Sequence, residues 1–283
     1  MSALTATPDS PETAQAAPAR PAYRVTGRRV LASEWAKLRS LRSTWITLGL
    51  GLLFLVAFGV IAASRYKSGI DSGRPMDGHF ADATAVSLSL FGTNFAQLAL
   101  GVLGVLVTAG EYSTGVIRST MAAVPRRLPV LWSKAAVYGL VALVIATVGV
   151  FVAFLVGSQV VSSTPAAMGL GHAGVLRSLL GAGLYLGLVG VIGTALGALL
   201  RSVAGGISVL VAALMLVPGL ISLLPSSWSG NIDPYLPSNA GESIFALTHD
   251  STTLSPGTGL WVFFGWTALA LAGAAYRLLR SDV

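Results

Sequence analysis

Residues 178–224 read SLLGAGLYLGLVGVIGTALGALLRSVAGGISVLVAALMLVPGLISLL, and Arg201 is the only charged side chain among them. As one α-helix this stretch would be about 70 Å long at 1.5 Å per residue. The hydrocarbon core of a bilayer is about 30 Å thick. The run therefore has to fold back on itself, and the one charge marks the place. Two membrane spans are expected, about 178–200 and 203–224, with the turn at Arg201-Ser202. The Pro218-Gly219 pair predicts a kink or an early end in the second of them.

The rest of the chain repeats this pattern. Hydrophobic residues make up 54% of the sequence and charged residues 10%, where ordinary soluble domains carry about 25%. Mean hydropathy is +0.75. Further spans are expected at about 44–63, 86–109, 135–157 and 258–276. The fold class is all-α integral membrane with six transmembrane helices. Sliding the first span back over Arg42 and Arg39 would cost about 2.5–3.5 kcal/mol for each Arg at mid-membrane, so its start is well defined. Residues 1–22, with Pro8, Pro11, Pro18 and Pro21, hold no apolar run of signal-peptide length and read as a disordered cytoplasmic tail.

Charge sets the orientation. With both termini in the cytoplasm, fourteen of the eighteen Lys and Arg residues fall on the inner side, as the positive-inside rule requires. Only Arg65, Lys67, Arg74 and Arg177 fall outside, and the last outer loop, 225–257, carries Asp233, Glu242 and Asp250 without a base. The net charge of +7 is thereby accounted for without a nucleic-acid partner. The expected location is the cell membrane, in a bacterium the inner one.

Before the first span, Leu31, Trp35, Leu38 and Leu41 fall at helical spacing on one face of residues 25–42, with Arg28, Arg29, Lys37, Arg39 and Arg42 around them. This is the pattern of an amphipathic helix lying in the membrane interface, its stripe in acyl chains and its bases near headgroups. Trp35, Lys37 and Arg39 are its candidate interface residues. The alternative is a plain basic stop before the span.

Two spans carry polar or small residues. In the second, Asn94 and Gln97 lie three apart on one helix face. They either bond to a neighbouring helix or line a polar substrate path. In the fourth, Gly183/Gly187 and Gly193/Gly197 have the small-xxx-small spacing that lets helices approach closely, or else form a wall of the path.

Catalytic signatures are missing from the sequence. There is no GxxxxGK[ST], none of Lys37, Lys67 and Lys134 follows a glycine, and there is no HExxH or GxSxG. The chain is not expected to be an enzyme or to bind nucleotide. With no cysteine and with His79, His172 and His249 far apart, no metal site is expected. All eleven Asp and Glu residues fall outside the expected spans, which speaks against a proton-coupled carrier.

Residues 110–127 read GEYSTGVIRSTMAAVPRR. Gly110 loosens the chain where the second span ends, and Pro125 closes the segment between them. Val116, Thr120 and Val124, beside Ile117 and Met121, make one mixed face of a short helix, with Arg118 and Ser119 pointing elsewhere. Such a helix rests on the interface or fits a groove in a partner.

This stretch resembles the cytoplasmic loop of permease subunits in the type-2 family of ATP-binding-cassette exporters, the actinobacterial members above all. Residues 33–45, SEWAKLRSLRSTW, resemble the start of the same subunits. The resemblance implies that residues 25–42 are the elbow helix and residues 111–125 a coupling helix within the loop 110–134. That helix would seat in a separate ATPase subunit, which would bind ATP and Mg. Glu111, Tyr112, Arg118 and Met121 become the coupling candidates. On the bland reading, Glu111 pairs with Arg118 or Arg126 and Arg118 binds lipid phosphates. The resemblance also implies a second permease copy, identical or related, short re-entrant or extracellular helices around Ile244-Phe245-Ala246-Leu247, and alternating access. Its rivals are a non-transporting membrane scaffold or sensor and a membrane-embedded enzyme.

Overall fold

The computed structural model describes residues 26–73, 80, 82–124, 127–248 and 252–280. The tail at 1–22 and the residues Arg74, Asp77, His79, Pro125, Arg126, His249 and Asp250 lie outside them. The described chain is helical, with no strand among its described residues. Six helices are long and apolar enough to cross a membrane: Arg42–Asp71, Thr93–Ser113, Leu128–Val160, Val175–Leu200, Val203–Ile221 and Pro256–Arg280.

In chain order, α1 (Gly27–Ser40) ends at Leu41, whose extended backbone breaks it from α2 (Arg42–Asp71). The expected single segment 25–42 is therefore interrupted just before the span. The span itself runs beyond residue 63 and carries Arg65 and Lys67 in its last turns. The expected span 86–109 is not one helix. A short α3 (Ala85–Ser89) is separated from α4 (Thr93–Ser113) by a turn at 90–92. One feature fixes the start of α3 and another the break after it. Thr84 and Ser87 cap α3 reciprocally, a capping box. A side chain at Gly92 would overlap the backbone of Leu55 on α2, so the chain comes in tight there.

At its other end α4 runs straight through Gly110. The break comes at Gly115, with φ at +75°, a conformation that glycine adopts without steric cost. Next come α5 (Val116–Ala123), α6 (Leu128–Val160) and α7 (Val175–Leu200). The fold-back after α7 falls at the expected residues. Arg201 takes the left-handed conformation, and Ser202 caps α8 (Val203–Val211), its hydroxyl accepting from Gly205 N at 3.2 Å. The effect expected of Pro218 emerges upstream of it. A π-helical turn at Ala212–Leu216 precedes α9 (Val217–Ile221), where the run ends. Pro218 has no N–H to give the preceding turn, and a widened turn absorbs the defect.

The stretch 225–257 is structured. It holds α10 (Ser226–Ile232), a 3-10 turn at Asp233–Tyr235 and α11 (Pro237–Phe245), before α12 (Pro256–Arg280). Ala240, Gly241, Ser243 and Ile244 of α11 are buried. Arg177 on α7 clamps the end of α11, donating to the carbonyls of Ile244 at 2.8 Å and Ala246 at 2.7 Å.

The centre of the bundle is α7, packed against α4, α6, α11 and α12. Its glycines serve packing. Gly183 and Gly187 meet Thr147 and Leu143 of α6, while Gly193 lies against the Gly101 carbonyl of α4, where a methyl group would overlap it. Backbones in such contact gain dispersion energy, the main source of helix association in lipid.

Candidate functional site

At one end of α4 four charges close into a cluster. Lys134 Nζ donates to Glu34 Oε2 at 2.6 Å and to Glu111 Oε1 at 2.9 Å, while Lys37 Nζ donates to Glu34 Oε1 at 2.8 Å and to Glu111 Oε1 at 3.0 Å. Three helices meet here, with Glu34 and Lys37 from α1, Glu111 from α4 and Lys134 from α6. Side-chain exposure divides the roles. Glu34 and Lys134 are 3% and 5% exposed, whereas Lys37 is 34% exposed and forms the rim. For Glu34, burial pushes the carboxyl up, but Lys134 and Lys37 outweigh it and hold the carboxyl below its ordinary value. For Lys37, desolvation pulls the ammonium down, and the bonds to Glu34 and Glu111 more than reverse it, so it stays charged above its ordinary value. A cavity of about 370 Å³ opens in front of the cluster, lined by Leu38, Leu106, Val116 and Tyr138 besides the four charged side chains.

The same cluster reaches α5. Lys37 Nζ donates to Thr120 Oγ1 at 3.3 Å. Ile117 is buried, and Met121 packs with Tyr112 against Leu131, Ala195, Ala198, Ala274 and Leu278. Arg118, Ser119, Ala122 and Ala123 face outward. Val116 is exposed as well, so the apolar face is narrower than its spacing implied.

The sequence-predicted residues thus separate. Glu111 and Tyr112 are not in the short helix but in the last turn of α4. Glu111 pairs with lysines rather than with Arg118, and Tyr112 lies under the Arg201 guanidinium, 5.2 Å from ring centre to Cζ. An acid therefore does lie inside a candidate span, at its end. On α1, Trp35 and Arg39 are exposed as expected, but Leu38 is buried and Lys37 turns toward the protein. The inward stripe is Val30, Glu34 and Leu38. Glu34 and Lys134 escaped the sequence reading. The Glu34-Lys37 spacing of three could suggest a local pair, but nothing in the sequence brings Lys134 to it.

At the opposite end of α4, Asn94 and Gln97 also part company. Gln97 is buried, and its Oε1 accepts from the Tyr185 hydroxyl of α7. Asn94 is exposed and lines a second cavity of about 730 Å³ between α2, α3, α4 and α11, with Tyr185 of α7 at its wall. Their own contact is long, Gln97 Nε2 to Asn94 Oδ1 at 3.4 Å.

No family model matches the chain, and no curated protein matches it. Among the described residues no group of three or more His, Cys, Asp or Glu is placed to hold a metal.

Proposed function

We propose that the chain is the permease subunit of an ATP-binding-cassette exporter of the type-2 kind, working as a pair of permeases with a separate ATPase. The observation that carries this reading is α5, an eight-residue helix at the end of a candidate span. It buries Ile117, presents Arg118 outward and is tied by Lys37 to α1. A helix so placed has an outer face free for a groove in a partner, and an inner face joined to three membrane helices. In this reading Arg118 and its outward neighbours touch the ATPase. Met121, Tyr112 and Glu111 pass the displacement to α4, α6 and α7. α1 lies in the cytoplasmic interface with Trp35 and Leu31 in lipid, and both termini are cytoplasmic, as the distribution of Lys and Arg supports. Closure of the ATPase dimer on ATP must favour one membrane conformation over the other, since a ligand shifts an equilibrium only through differential affinity.

The test is co-purification of the tagged chain with an ATPase subunit from its own cells, followed by Arg118→Ala. Retained assembly in the membrane with lost stimulation of the ATPase is expected. A chain that purifies without any ATPase, or an ATPase whose coupling ignores Arg118, would remove this function. The scaffold or sensor alternative would be left if the ATPase bound but no export followed.

A further inference from the structure

The second cavity pairs an apolar, aromatic wall with one unanswered charge. Phe58, Phe91, Tyr185 and Phe245 line it. Phe58 stacks on Phe95 with ring centres 3.9 Å apart, and the Tyr185 and Phe245 rings are 5.8 Å apart, so these faces are held rather than loose. Among the described residues, Arg65, Asp82 and Glu242 are its ionisable lining besides Tyr185. Arg65 and Asp82 offset each other in formal charge. Glu242 is left over. Its carboxylate has no ion-pair or hydrogen-bond partner among the described residues, and burial, then the neighbouring carboxylate Asp233, push it above its ordinary value. Glu242 also lines a third cavity, of about 500 Å³, that holds Asp233. Its side chain is exposed and opens to both cavities.

We infer that this cavity is a binding site for a hydrophobic organic cation, its apolar body against Phe58, Tyr185 and Phe245 and its positive charge at the Glu242 carboxylate. A cation placed there gains twice. It pairs with a carboxylate that has no described partner, and it meets the negative faces of aromatic rings. A neutral lipid chain would fill the apolar part and leave the acid unanswered. An organic anion would find only Arg65, which Asp82 already offsets, and would meet Glu242 as a like charge. As a cargo site the inference rests on the permease reading; as a binding site it does not.

The experiment uses two probes of nearly equal size and shape but opposite charge, tetraphenylphosphonium and tetraphenylborate. Equilibrium dialysis is run against the full chain in nanodiscs, with empty nanodiscs of the same lipid as the baseline. Saturable binding of the phosphonium at one site per chain is expected, with none for the borate above baseline. Glu242→Gln should weaken the phosphonium about tenfold, and Glu242→Asp should retain most of the affinity. Equal binding of both probes, or an unchanged affinity in a folded Glu242→Gln protein, overturns the assignment. If Glu242→Gln does not fold, the comparison of the two probes on the unaltered chain still decides it. No ATPase is present, so failure here leaves the permease reading untouched. Phosphonium binding by a chain that recruits no ATPase would sink that reading alone.

Discussion

Lys134 Nζ lies 2.6 Å from Glu34 Oε2, and the two residues are 100 positions apart in the chain. Both side chains are almost fully buried. Removing one member of a buried pair leaves the other charge without compensation and costs about 3–5 kcal/mol. Lys134→Met is therefore expected to lower the thermal midpoint in detergent sharply. Lys37→Met, on the exposed rim, should cost about 1 kcal/mol or less. Equal effects would show that the cluster is not organised around Lys134.

The same cluster predicts a pH window. The Glu34 carboxyl is held below its ordinary value in the fold, so its contribution is complete above the ordinary carboxylate range and is lost as pH falls through the depressed value. Lys37 is held above its ordinary value, so its contribution is complete below the ordinary lysine range and is lost as pH rises through the raised value. Docking of α1 should thus be strongest from neutral to mildly basic pH, weakening strongly on the acid side and only slightly on the basic side. Limited proteolysis in the 24–42 segment reads it, and Glu34→Gln should flatten the acid limb.

Arg118→Ala should change stability by no more than about 0.5 kcal/mol, leaving the thermal midpoint nearly unmoved, as an exposed side chain with no described partner implies. Glu111→Ala is not its equivalent. Glu111 accepts from both lysines, so this change should lower stability as well as any coupling. A stability loss in Arg118→Ala, or none in Glu111→Ala, would contradict the arrangement of the two.

Gln97→Leu and Asn94→Leu should also differ. Losing the Gln97 amide strands the buried Tyr185 hydroxyl, at a cost of about 1–3 kcal/mol. Asn94→Leu should preserve stability and change what the 730 Å³ cavity binds. Thermal midpoints and phosphonium binding on the two variants distinguish the roles.

Orientation has a direct chemical readout. A cysteine at Thr252 is expected to react with an impermeant maleimide in intact cells, and one at Ser113 only after permeabilisation. The reverse pattern would invert the proposed topology.

The apolar spans were legible because lipid imposes a length and excludes charge. The Arg201-Ser202 turn follows from that alone. The split between α3 and α4 was not, because it depends on the Leu55 backbone pressing on Gly92, a contact between segments far apart in sequence. For the site, the short helix after the second span was visible in its spacing, but its bounds shrank from 111–125 to Val116–Ala123. Gly115, not Gly110, takes the positive φ, and local pattern does not choose between two glycines. Lys37 looked like a headgroup binder because its partners, Glu111 and Thr120, are supplied by tertiary folding. The prolines of 225–257 fitted a plain surface loop as well, and its short helices were implied only by the family resemblance; Glu242 showed nothing in sequence beyond an acid in an expected outer loop.

One dimension has a further effect. α6 has 33 residues, so it measures about 50 Å end to end. Bilayer hydrocarbon is about 30 Å thick, and fitting α6 by tilt alone would need about 53°, beyond the usual 0–40°. One or both of its tips must then protrude into the headgroup layer. Lys134 is six residues from the tip at Leu128, so if that tip is the one that protrudes, the four-charge knot lies beside lipid phosphates and mobile ions. In that placement ionic strength and the share of anionic lipid become physical controls on how firmly α1 is held, acting first on the partly exposed ammonium of Lys37.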